Sequence, residues 1–179
     1  MKNNALKKMI LAAVFLALGM VLPLFTSQIK EIGDTLLPMH IPVMLCGLVC
    51  GWQYGGFIGI ILPFLRSATF GMPPMYPQAV WMAVELCAYG IVIGLVYCAF
   101  KRKNIFSIYI SLITAMLVGR VVWGIAKAIL LGVGGKTFTL TMFWVGGFAD
   151  ALPGIILQLL LIPPWVAVIN TTFRRSQNG

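Results

Sequence analysis

The sequence predicts an all-α polytopic membrane protein: one integral membrane domain over residues 1–179, a bundle of six transmembrane helices with N- and C-termini cytoplasmic. Three observations predict it. The chain is 60% hydrophobic and only 9% charged, where a soluble domain carries about 25% charged residues. A chain of this size cannot hide so much apolar surface unless lipid is its solvent. The apolar runs are continuous, not alternating, which selects helices over a barrel. Lys and Arg gather in short clusters beside those runs, the pattern that orients membrane helices with their basic loops inside.

The first helix is expected from about Ala5 to Leu24. A basic start before an apolar run also suits a signal peptide. The run ends in Pro23-Leu24-Phe25-Thr26, however, which is a poor cleavage site, so retention is expected. A mixed segment follows from Thr26 to Leu37, with Lys30, Glu31 and Asp34. The second helix begins near Pro38 and ends near Gly51. Gly51-Trp52-Gln53-Tyr54-Gly55-Gly56 reads as a tight turn, and the third helix as about Gly56 to Leu65. Both are shorter than the roughly 20 residues that span a bilayer. The stretch Arg66 to Pro77 reads as a loop rich in Gly, Pro and Met. The fourth helix covers about Gln78 to Phe100, and Lys101-Arg102-Lys103-Asn104 breaks the chain sharply. The fifth covers about Ile105 to Leu131, Gly132 to Thr139 is a loop, and the sixth covers about Leu140 to Ile169 before Arg174-Arg175.

With six elements the charges sort cleanly. Lys2, Lys7, Lys8, Lys101, Arg102, Lys103, Arg174 and Arg175 share one side, which is then cytoplasmic. The loops after the first, third and fifth helices lie outside. Glycines recur every fourth residue at Gly47, Gly51, Gly55 and Gly59, and again at Gly90 and Gly94, as expected where membrane helices approach closely. Ala13 and Ala17 form a further pair of small residues.

Several functions find no support. The net charge of +9 follows the helix ends and is not interleaved with aromatics, so nucleic acid is not a partner. Gly135-Lys136-Thr137 resembles the end of a phosphate-binding loop, but the motif needs a glycine where Leu130 stands. Cys46, Cys50, Cys87 and Cys98 lie in apolar runs and read as packing residues, with no metal-ligand spacing. The single histidine has no visibly paired nucleophile, so the chain is not read as an enzyme; catalysis inside the membrane is the weakest reading. No cofactor or metal is implied.

Ionisable residues inside a membrane are costly, and each is a functional candidate. They are Glu85 in the fourth helix, Arg120 and Lys127 in the fifth and Asp150 in the sixth, with His40 opening the second and Arg66 closing the third. At ~1.5 Å per residue, Glu85 falls ~10 Å below the outer end of its helix, Asp150 ~15 Å and Arg120 ~16 Å. Lys127 and Arg120 share a helix face, with Trp123 between them. Pairs such as Glu85 with Arg120, or Asp150 with Lys127, would be purely structural. Taken together, the cations outnumber the anions by one, which suits a carboxylate or phosphate on a ligand. Trp81, one turn outward of Glu85, is placed to stack on it; Met72, Met75 and Tyr76 are placed to cover it.

The stretch Leu37-Pro38-Met39-His40-Ile41-Pro42-Val43-Met44-Leu45-Cys46-Gly47 carries a resemblance. It continues through Gly51-Trp52-Gln53-Tyr54-Gly55 and Gly71-Met72-Pro73-Pro74 to Glu85-Leu86-Cys87-Ala88-Tyr89-Gly90. The chain resembles the S component, the substrate-binding subunit, of an energy-coupling factor (ECF) vitamin transporter. The resemblance implies a plasma-membrane protein that binds a vitamin or related micronutrient with high affinity near its outer face. It also implies docking on a transmembrane coupling protein and two cytoplasmic ATPases, with Ala13 and Ala17 matching the family's docking signature. The Leu-Pro-Met-His-Ile-Pro version of the motif is similar to S components assigned to pantothenate, whose carboxylate agrees with the surplus positive charge, and also to many with no assigned substrate; pyridoxine-type compounds, hydroxymethylpyrimidine, lipoate and queuosine precursors remain open. The alternative is a solitary secondary transporter or channel for a small anionic solute.

Overall fold

The structure is a computed structural model and describes residues 2–26, 38–135 and 137–178. Six helices run through the described residues, with no strand among them. They are α1 (Lys2–Thr26), α2 (His40–Val49), α3 (Trp52–Phe70), α4 (Val80–Ala99) and α5 (Ile105–Val133), then α6 in two parts, Leu140–Trp144 and Leu152–Asn178. Four stretches are long and apolar enough to cross a membrane: Ala5–Leu24, Met75–Ala99, Ile105–Val133 and Leu140–Ile169. Residues 27–37, most of the expected first outer loop, and Lys136 lie outside the described residues.

The third element is longer than its composition suggests. It starts at Trp52 and continues through Arg66 to Phe70, 19 residues in all. Only Gly51, at φ 107°, breaks the chain between α2 and α3. The glycines that read as a turn are packing residues instead. A Cβ on Gly55 would lie 2.7 Å from Gly47 Cα and 2.8 Å from the Gly90 carbonyl oxygen. One on Gly59 would lie 2.5 Å from the Leu86 carbonyl, and one on Gly94 2.5 Å from the Trp52 nitrogen. Side chains are thus missing where α2, α3 and α4 touch backbone to backbone. Leu62 of α3 fills a similar notch at Gly19 of α1. Met44, Leu62, Leu86, Tyr89, Ile93, Leu112 and Ile162 form the fully buried centre of the bundle.

Two wide turns interrupt the outer ends, where outer means the side that the charge pattern assigns to the outside. Ala79 N–H donates to the Pro74 carbonyl at 3.0 Å across Met75–Ala79, and Asp150 N–H donates to Val145 at 2.9 Å across Val145–Ala149. The second bond skips one residue more than an α-helical bond, a feature frequent beside functional sites, whereas the first spans a kink in which Tyr76 is extended at φ −131° and ψ 135°. The first turn starts the membrane-crossing stretch at Met75, within the expected loop, and this moves Glu85 deeper than its sequence position suggested. At ~1.5 Å per residue, Trp81 and Lys127 lie ~9 Å below the outer ends of their spans, whereas Glu85 lies ~15 Å and Arg120 ~20 Å below.

Candidate substrate site

The charged candidates sort into two layers. The lower layer joins α2, α4 and α5. Arg120 Nη1 donates to Glu85 Oε1 at 3.2 Å, and His40 Nε2 lies 3.4 Å from the same oxygen without hydrogen-bond geometry. His40, Glu85 and Arg120 are 1%, 2% and 3% exposed. Tyr89, one helical turn below Glu85, holds the group in place. Its ring meets the His40 ring edge-on at 5.1 Å and covers the bare backbone of Gly119 beside Arg120. The pairing of Glu85 with Arg120 is therefore real. It is incomplete, however: both ring nitrogens of His40 and Nε of Arg120 are buried without a hydrogen-bond partner.

The upper layer forms around Lys127. Its Nζ lies 4.5 Å from the Trp123 ring centroid, 5.5 Å from Trp81 and 5.9 Å from Phe138. Each such contact stabilises an ammonium by about 0.5–2 kcal/mol, more as water is removed. The second wide turn makes the room. Gly146 and Gly147 leave the backbone bare where the Trp123 indole lies against it: a Cβ at either would come within 3.1 Å and 3.4 Å of that ring. Phe143 packs on the other side of Trp123, at 6.3 Å between centroids. Among the described residues no carboxylate pairs with Lys127. Trp123, 7% exposed, stands between the two layers.

The remaining candidates are placed elsewhere. Arg66, 5% exposed, turns to α1, where its Nη1 donates to the Met20 carbonyl at 2.9 Å and its guanidinium lies over Phe70 at 5.5 Å. Asp150 is exposed and forms no ion pair with Lys127, though it lies near enough to act on that ammonium through its charge. Met72, Met75 and Tyr76 are 56%, 51% and 61% exposed in the segment before α4. Ala13 and Ala17 both face outward from α1.

Sequence reasoning missed Tyr89 as the support of the lower layer and Phe138 as a wall of the upper one. It also missed Gln158, 2% exposed on α6 with its amide nitrogen unpartnered. A polar amide within a long apolar run was the available signal for Gln158. For Phe138 there was none, because it sits in a loop. A separate groove of about 330 Å³ between α4 and α5, lined only by aliphatic side chains such as Val84, Ile125 and Ile129, opens toward lipid and holds no polar group.

Comparison with known proteins gives one match. The family model described as ECF transporter, substrate-specific component, matches residues 7–166. No curated protein and no solved structure matches the chain.

Proposed function

The chain belongs to the family of substrate-specific components of ECF transporters, and from that premise we propose that it is the high-affinity binding subunit of a plasma-membrane importer for a carboxylate-bearing vitamin or related micronutrient, pantothenate first among them. Membership in the family implies a membrane-embedded transport subunit that works with an energy-coupling module. The proposal adds the composition of that module, a transmembrane coupling protein and two cytoplasmic ATPases, and places the substrate at the upper layer. The observation that carries it is Lys127: an ammonium inside a membrane-crossing stretch, walled by three aromatic rings, with no carboxylate paired to it among the described residues. A charge in that setting calls for a partner, and a ligand anion supplies it.

The test compares Lys127→Ala with the parent protein in detergent. As a ligand contact, Lys127 should contribute about 2–5 kcal/mol to binding of pantothenate, with little change in the melting temperature of the ligand-free protein. A large fall in that temperature with affinity preserved would assign Lys127 to the scaffold. Co-purification with an ATPase module separates this function from a solitary transporter.

A further inference from the structure

We infer that the ligand is a monoacid whose acid group sits at Lys127 and whose far end, about 10 Å away, carries uncharged hydroxyl or amide groups that enter the lower layer. The inference rests on the proposed role as a substrate-binding subunit and specifies what that subunit selects.

The two layers differ in charge. In the lower one, the Glu85 carboxylate and the Arg120 guanidinium cancel each other at 3.2 Å. A second acid placed there would meet Glu85, and a cation would meet Arg120. Yet the layer is not saturated. His40 Nδ1 and Arg120 Nε have no partner, His40 Nε2 meets only Glu85 Oε1 at 3.4 Å without hydrogen-bond geometry, and both side chains are at least nine-tenths buried. Buried polar atoms are almost always hydrogen-bonded in folded proteins, so these atoms mark the seat of a polar guest. Arg120 Nε is a donor, and an imidazole nitrogen serves as donor or acceptor according to its tautomer. A hydroxyl or an amide answers both kinds at once and adds no charge.

The upper layer has the opposite character. Lys127 stands among ring faces, and no carboxylate of the described residues lies within ion-pair distance of its Nζ. Lys127 and Arg120 are seven positions apart on α5, which is ~10 Å along the helix. Trp123 stands on the same face between them. An acid head, a short apolar or amide-linked body and a neutral polar tail therefore match the layers in order.

The experiment is a binding titration of the purified, unmodified protein with five probes. Pantothenate and biotin each carry a carboxylate and a distant neutral polar group. Pantothenol keeps the distant hydroxyls but lacks the acid. Lipoate keeps the acid but ends in an apolar ring. Thiamin is a cation. The tightest binder should be pantothenate or biotin, by about 100-fold over pantothenol and lipoate. Lys127→Met should weaken pantothenate and biotin about 100-fold and so remove their advantage over pantothenol. Tightest binding of pantothenol, lipoate or thiamin overturns the inference, and so does binding of none of the five. The underlying role fails by a separate readout, the absence of an energy-coupling module from the protein purified from its own membrane.

Discussion

Glu85 accepts from Arg120 at a depth where neither side chain reaches water, and that makes each hostage to the other. Removing one member of a buried pair strands the other, whereas replacing both with apolar groups of similar size is often neutral. Glu85→Leu alone should therefore destabilise the ligand-free protein by about 3–5 kcal/mol, and Arg120→Met alone by a similar amount. The double variant should recover most of the loss. Thermal unfolding of all three proteins checks this; additive losses in the double variant would show that the two side chains act independently. The same logic explains why charge alone did not separate structural from ligand-binding residues. From the sequence, Glu85–Arg120 and Asp150–Lys127 were equivalent candidate pairs. Only packing distinguishes them: the first pair meets, and in the second Asp150 is exposed while Lys127 turns to ring faces. Arg66 shows the same limit, since a backbone carbonyl of another helix leaves no signature at the arginine itself.

At the scale of the helices, the seam of α2, α3 and α4 depends on missing side chains. Gly90 lies against the Gly55 backbone, and any Cβ there would overlap it. Backbone cannot step aside as a side-chain tip can, so Gly90→Leu should separate α3 from α4 and cost more than the usual 1–3 kcal/mol of an overfilled core, about 3 kcal/mol or more. Gly132, with nothing within 4 Å, provides the control, and Gly132→Leu should leave the protein as stable as before. Size-exclusion profiles in detergent before and after heating would show the contrast, and equal behaviour of the two variants would contradict the backbone contact. The spacing of these glycines was legible in the sequence, and close approach was the right inference from it. The turn assigned to Gly51–Gly56 was not, because glycine serves both purposes and only Gly51 takes a positive φ there. The six-helix order and the limits of α1 and α5 were legible because long apolar runs leave few alternatives. The wide turns at Met75–Ala79 and Val145–Ala149 were not, since one extra residue per turn leaves no trace in hydropathy.

At the scale of the whole molecule, the basic clusters set the orientation, and the orientation decides which end can meet a ligand. Asn104→Cys, in a background without Cys46, Cys50, Cys87 and Cys98, should resist an impermeant thiol reagent added outside cells. Lys136→Cys should react. The reverse pattern would move Lys127 and its rings to the cytoplasmic side and remove the basis for high-affinity capture there.

Orientation also determines what α1 can do. α1 is packed against the bundle along one face, with Ala12, Phe15 and Gly19 inward and Leu62 pressed into the Gly19 notch. Its opposite face carries Ala13 and Ala17 one turn apart, both exposed, between longer side chains at Ile10, Val14 and Leu18. Two alanines at that spacing leave a shallow strip along which another helix can approach closely, and in lipid such contact is a main source of association. Ala13→Trp and Ala17→Trp fill the strip without touching either layer of the candidate site. Each should abolish uptake in cells while ligand affinity of the purified protein stays within about twofold, since surface changes away from the site rarely exceed about 0.5 kcal/mol. Ile113→Trp, on an exposed position of α5, controls for bulk added to a lipid-facing surface and should transport normally. Lost uptake in the Ile113 variant would make added bulk the cause, and normal uptake in both alanine variants would place the docking contact on some other face of the bundle.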